Sequence, residues 1–138
     1  MTNDLWINLP AKDINKSRDF FVAIGFQLNE SMGNSEHSAA IKIGSKNIIL
    51  MLFEQNVFKQ IVGRDFTDTS KSSEVLFSFD AESREAIDAL ANKVEKAGGK
   101  LFSKPAEMQG WMYGCGFEDL DGHRWNALHM DFSKMPKA

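Results

Sequence analysis

The apolar positions of this chain change rhythm along its length. Leu5-Trp6-Ile7-Asn8-Leu9 alternates, which predicts a strand with Leu5, Ile7 and Leu9 on one face and Trp6, Asn8 and Pro10 on the other. Asp13 then stands where a helix N-cap or first-turn acid is favourable, and Ile14, Ser17, Phe20, Phe21 and Ile24 recur at helical spacing. Gly25 fits the position just past the helix end. Three further strands are predicted over Phe26–Met32, Ala39–Ile43 and Lys46–Glu54, with Gly44-Ser45 as a hairpin turn.

A second stretch repeats that order. Val57, Phe58, Ile61 and Val62 predict a short amphipathic helix, and the Ser-, Thr-, Asp- and Lys-rich run from Asp65 to Ser73 reads as a loop. Beyond it Glu74-Val75-Leu76-Phe77-Ser78-Phe79-Asp80 alternates, with Val75, Phe77 and Phe79 on one face. Ile87, Leu90, Ala91, Val94 and Ala97 form a helical stripe closed by Gly98-Gly99. Strands follow over Lys100–Glu107, Met112–Glu118 and His123–Asp131. The pattern predicts an α+β fold: two βαβββ units whose curved mixed sheets enclose a concave pocket. Residues 1–138 are read as one domain, with a first unit over about 5–54, a connector over 55–73 and a second unit over 74–131. The repeat is one of pattern, with negligible identity between the halves.

Composition narrows the functional classes. A length of 138 residues, 43% hydrophobic and 25% charged, is that of an ordinary soluble globular domain. A net charge of -3 supplies no basic footprint, so neither nucleic acid nor an anionic membrane is an expected partner. The longest apolar run, Ile48 to Phe53, is too short to span a bilayer, and Met1 to Pro10 lacks an apolar core of the signal-peptide kind. Cys115 is the one cysteine, which excludes an internal disulfide and fits a reducing compartment. A cytoplasmic location is expected.

Between Tyr113 and Leu128 the residues become more informative. Asp119-Leu120-Asp121-Gly122 closes a tight hairpin, after which Trp125 and Ala127 point one way and Arg124, Asn126 and Leu128 the other. A glycine-rich strand, Glu118-Asp119, a turn ending Asp121-Gly122 and an alternating final strand together resemble the closing hairpin of the glyoxalase/bleomycin-resistance/dioxygenase superfamily, the vicinal oxygen chelate fold. Asn8-Leu9-Pro10 before Lys12-Asp13, and the Lys16-Ser17…Phe20-Phe21 helix ending at Gly25-Phe26, resemble its opening. Trp111-Met112-Tyr113-Gly114 resembles a glyoxalase-like bacterial subgroup. The likeness extends from Leu5 to Asp131, and departs at Leu120, where relatives usually carry Pro.

The resemblance implies one metal ligand from the first and last strands of each unit. The matching positions are Trp6, Met51, Glu74 and Asn126. An indole has no available lone pair, a thioether suits hard ions poorly, and an amide oxygen is weak and neutral. Catalytic zinc takes about three protein ligands, so no bound metal and no other cofactor is expected. His123 and His129 share a strand but stand about 20 Å apart at 3.3 Å per residue, and His37 reads as a surface residue.

Glu74 carries two readings. On the concave face, near Trp6, Leu76 and Asn126, its pKa would be raised by apolar walls and it would serve as a catalytic base; at a strand end it would be solvated or paired with Arg124. Trp6, Asn8, Met51, Phe53, Tyr113, Arg124 and Asn126 are the candidate ligand-binding residues. Cys115 reads as a small buried hydrophobe. The expected function is a metal-independent small-molecule binding protein, a homodimer by analogy with its relatives, taking a partly aromatic ligand. The alternatives are a lyase, isomerase or dioxygenase-like enzyme with Glu74 as base or metal ligand, and a regulatory dimer without a ligand.

Overall fold

Asp13 starts the first helix as its position implies: its carboxylate accepts from the Lys16 N–H at 3.1 Å, satisfying one of the unpaired amides of the first turn. The computed structural model describes residues 1–137. Its contacts cluster into two units that divide after Ser72. In the first, β1 (Trp6–Ala11), α1 (Ile14–Ala23), β2 (Gln27–Leu28), β3 (Ser38–Ile43) and β4 (Ile48–Glu54) build a sheet of order β1-β4-β3-β2. β1 runs parallel to β4 and the remaining pairs are antiparallel. Phe20 and Phe21 of α1 are buried, as are Ala39 and Ile41 of β3 and Leu50 and Leu52 of β4. Gly25 follows α1 at φ +117°, the left-handed conformation its place at the helix end requires.

The strand expected over Phe26–Met32 shrinks to Gln27–Leu28. Beyond Leu28, side chains take over from the ladder. The Asn34 amide donates to the Asn29 carbonyl and its oxygen accepts from the Ala40 N–H, while the Ser38 hydroxyl donates to the Gly33 carbonyl. Asn and Ser offer the backbone these alternatives, and a closed loop replaces the strand. The amphipathic helix forms as α2 (Gln55–Val62) and ends at Gly63 in the left-handed region.

The second unit has the same order. β5 (Leu76–Asp80), α3 (Arg84–Lys96), β6 (Lys100–Met108), β7 (Met112–Glu118) and β8 (Arg124–Met130) build a sheet ordered β5-β8-β7-β6, with β5 parallel to β8. Ser83 caps α3, accepting from the Ala86 N–H at 3.0 Å. Ile87, Leu90, Ala91 and Val94 bury the helical stripe. Trp125 stacks nearly parallel to Phe117 and lies 4.8 Å, ring centre to ring centre, from Phe77. Two mixed four-stranded sheets, each with a helix packed on it, make the fold α+β.

β5 begins at Leu76, two residues after the expected Glu74. The register gives the reason: Leu76 stands opposite Arg124, the first residue of β8. Before Arg124 the chain is occupied by the Asp119–His123 turn, which leaves Glu74 and Val75 without a ladder partner. That turn is built on Asp119, which is 5% exposed. Its carboxylate accepts from the N–H groups of Asp121 at 2.9 Å and His123 at 3.0 Å, and from the Trp125 indole at 3.0 Å. Gly122, at φ +80°, completes the turn, and Leu120 sits at its tip, 39% exposed.

Candidate functional site

The face of the second sheet turned away from α3 follows from parity. Trp125 and Ala127 of β8, with Cys115 and Phe117 of β7, are buried in the core. Arg124, Asn126 and Leu128 therefore emerge on the opposite face, beside Gly116 and Gly114 of β7 and Leu76 and Ser78 of β5. The two glycines of Gly114-Cys115-Gly116 thus lie bare on this face while the cysteine between them fills the core.

Neighbouring strands use that room. A Cβ on Gly114 would come within 2.5 Å of the Ala127 carbonyl oxygen and 2.6 Å of Leu128 Cδ2. A Cβ on Gly116 would come within 2.5 Å of the Phe102 ring. Phe102 reaches this position through a break in the β6–β7 register between Leu101 and Ser103, a bulge that re-aims its side chain. The Arg124 guanidinium lies over the Phe102 ring at 4.2 Å, and it donates to Glu118 Oε1 at 2.9 Å. Directly across from Gly116 stands Asn126, whose Oδ1 is buried and accepts no hydrogen bond. A buried acceptor left without a donor costs about 1–3 kcal/mol.

In the first unit, β1 and β4 set Asn8 opposite Met51, Trp6 opposite Ile49 and Pro10 opposite Phe53. Trp6, Asn8, Met51 and Phe53 therefore share one face, the reverse of that carrying buried Leu50 and Leu52. Loop 29–37 closes on it: a Cβ on Gly33 would lie 3.1 Å from Met51 Sδ. Trp6 is 59% exposed at the start of the strand.

The other candidates lie elsewhere. Glu74 is exposed in a bend ahead of β5, outside the apolar surroundings that would tune a base, and the partner of Arg124 is Glu118. Tyr113 stands on the α3 side, where its hydroxyl donates to Asp88 at 2.6 Å and the Arg84 guanidinium lies over its ring at 4.9 Å. That bond, which the phenolate could not donate, raises the Tyr113 pKa. A nearby cavity of about 50 Å³, lined in part by Arg84, Trp111, Tyr113 and His129, has room for a few waters but not for an aromatic ligand. His129 Nδ1 lies 3.1 Å from the Ala81 carbonyl, and His37 pairs with Glu36 and Glu54 at the surface.

Phe102, Glu118 and Ser78 complete the Asn126 face and are absent from the candidate ligand-binding and catalytic residues read from the sequence. A signal for the first exists: adjacent apolar residues Leu101-Phe102 break the alternation, and Pro105 within the strand marks an edge or a bulge. As a metal centre the matching positions fit poorly. An indole, a thioether, an exposed carboxylate and an amide offer one hard anionic ligand between them. Among the described residues no cluster of three or more His, Cys, Asp or Glu side chains is placed to hold an ion.

The family model of the Glyoxalase/Bleomycin resistance protein/Dioxygenase superfamily matches residues 5–127. Among solved structures, the chain is similar to a hypothetical protein from S. aureus, with 33% identity, 94% of this chain and 95% of that one covered, and a TM-score of 0.82. A glyoxalase/bleomycin resistance protein/dioxygenase family enzyme from Burkholderia phytofirmans gives 19% identity, 91% and 96% coverage and a TM-score of 0.76. A glyoxalase-related enzyme from Fulvimarina pelagi gives 16% identity, 94% and 88% coverage and 0.79. The last two likenesses are of fold. No curated protein matches the chain. Among the described residues no helix is long and apolar enough to cross a membrane.

Proposed function

The chain belongs to the glyoxalase/bleomycin resistance protein/dioxygenase superfamily, and from that premise we propose that it binds a small organic molecule without a metal ion. The observation that carries this reading is Asn126 Oδ1, buried and unpartnered on a face where β7 sets a glycine, Gly116, directly opposite. A site for a hard ion would gather anionic oxygens. This one sets a neutral amide among Phe102, Leu128 and Arg124, with the cation already engaged by Glu118. Apolar walls with a few fixed polar groups are the usual make-up of a small-molecule site. Trp6, Asn8, Met51 and Phe53 present a comparable mixed face in the first unit, and we assign them to ligand contact as well.

An exposed Glu74 does not favour the enzymatic alternative, since it lies in a bend ahead of β5 and outside the apolar walls a buried catalytic base would need. Calorimetric titration of the chain with Zn²⁺, Mn²⁺ and Ni²⁺, alongside a panel of aromatic compounds, tests the proposal. Aromatic binding without stoichiometric metal binding is expected. Tight uptake of one ion per subunit would overturn it and move a metal-dependent lyase or dioxygenase forward.

A further inference from the structure

Phe102 occupies a place that belongs to no core. It projects from a bulge on β6, the terminal strand of its sheet, and remains 42% exposed although its ring fills the hollow above Gly116. On this ring lies the Arg124 guanidinium, fixed by Glu118. Directly across from Gly116 in the β7–β8 register is Asn126, whose buried Oδ1 has no hydrogen-bond partner. A glycine that admits a ring, a cation that stacks on it and an acceptor that lacks a donor are thus assembled within a few residues.

Resting on the small-molecule reading above, we infer that the hollow over Gly116 is a subsite for a planar ring bearing an O–H or N–H donor, with Phe102 as the side chain that fills it in the free protein. The ligand ring takes the contacts of the phenyl group, with the Gly116 backbone and with the Arg124 guanidinium. What the ligand adds is the donor. Phe102 has none, so the Asn126 oxygen stays unsatisfied until a phenol, aminoarene or N–H heteroaromatic arrives. A carboxylate or bare carbonyl on that edge would set acceptor against acceptor. The bulge position lets Phe102 leave, because an exposed side chain on a terminal strand turns outward without disturbing the aromatic core around Trp125 and Phe117.

The test uses phenol and its methyl ether anisole, which have similar rings but differ in the donor. Both are titrated into ¹⁵N-labelled protein while the Asn126 side-chain amide and the Gly116 and Phe102 backbone amides are followed. Phenol is expected to shift these signals and to bind about three- to tenfold more tightly than anisole, the range for one hydrogen bond to a waiting acceptor. Phe102→Ala should tighten both by emptying the hollow, and Asn126→Leu should erase the preference for phenol. The wild-type comparison alone decides the matter if a variant fails to fold. Equal affinities would overturn the donor assignment, as would a bound water already satisfying Asn126, while leaving small-molecule binding on this face intact. If neither ring perturbs this face, in wild type or Phe102→Ala, the small-molecule reading falls with the inference.

Discussion

At the scale of single residues, Asp119 stands out as the buried carboxylate on which a turn is built. Burial raises its pKa above the ordinary aspartate value, against the opposing pull of the His123 charge and the hydrogen bonds from Trp125 and Asp121. Asp119→Ala would strand the Trp125 indole N–H and two turn amides, and a loss of about 2–3 kcal/mol is expected in urea unfolding. The pH dependence follows from the direction of the shift. A carboxyl whose pKa rises on folding stabilises the native state fully below its unfolded value, near 3.8, and loses that contribution as pH climbs through the folded value. The stability of wild type relative to Asp119→Asn should therefore fall across that interval and then level, as read from urea midpoints at successive pH values. Cys115 gives a second residue-scale expectation. Burial, with the nearby Asp88 charge, pushes its thiol up to about 11, so about one in a thousand is thiolate at pH 8. Labelling by a thiol reagent should be slow in the native protein and should accelerate with unfolding; rapid native labelling would show that β7 opens locally.

At the scale of elements, the period of the apolar residues made most of the fold legible. α1, α3 and β7 lie where the spacing puts them, because each buries a face whose repeat matches its own geometry. The misses have local causes. Asn and Ser side chains bonding to backbone cut β2 short, and the Asp119 turn deprived Glu74 of a ladder partner. The site was less legible still. Parity put Arg124 and Asn126 on one face of β8, but the register break that brings Phe102 over Gly116 depends on one unpaired residue that no alternation encodes. That arrangement predicts unequal glycine substitutions in β7. Gly116→Ala meets the far end of a side chain, so a cost of about 1–3 kcal/mol should be largely recovered in the Gly116→Ala/Phe102→Ala double variant. Gly114→Ala meets the Ala127 carbonyl, which cannot turn aside, and no side-chain truncation should rescue it. Thermal or chemical denaturation of the four variants checks the contrast; full rescue of Gly114→Ala by Leu128→Ala would contradict it.

At the scale of the whole molecule, β1 and β5 are each a terminal strand of their own sheet. Apolar side chains cluster there: Leu5 is 65% exposed and Trp6 59%, Val75 49% and Leu76 53%. Terminal strands can pair with another chain, and natural proteins blunt them with charge, proline or a covering element. Here Leu5-Trp6 and Val75-Leu76 carry no such device; the adjoining charges, Asp4 and Glu74, stand just outside the strands. Burial of those four side chains would contribute favourably at about 25 cal/mol for each Å² removed from water. The expected state in solution is accordingly a homodimer, with a mass about twice the 15.5 kDa of one chain. Light scattering coupled to size exclusion reads this directly. Replacing Leu5 and Leu76 with Lys should shift the equilibrium toward monomer while leaving circular dichroism unchanged, because neither side chain belongs to a core. A concentration-independent monomer mass in the wild type would show that these edges are tolerated in water.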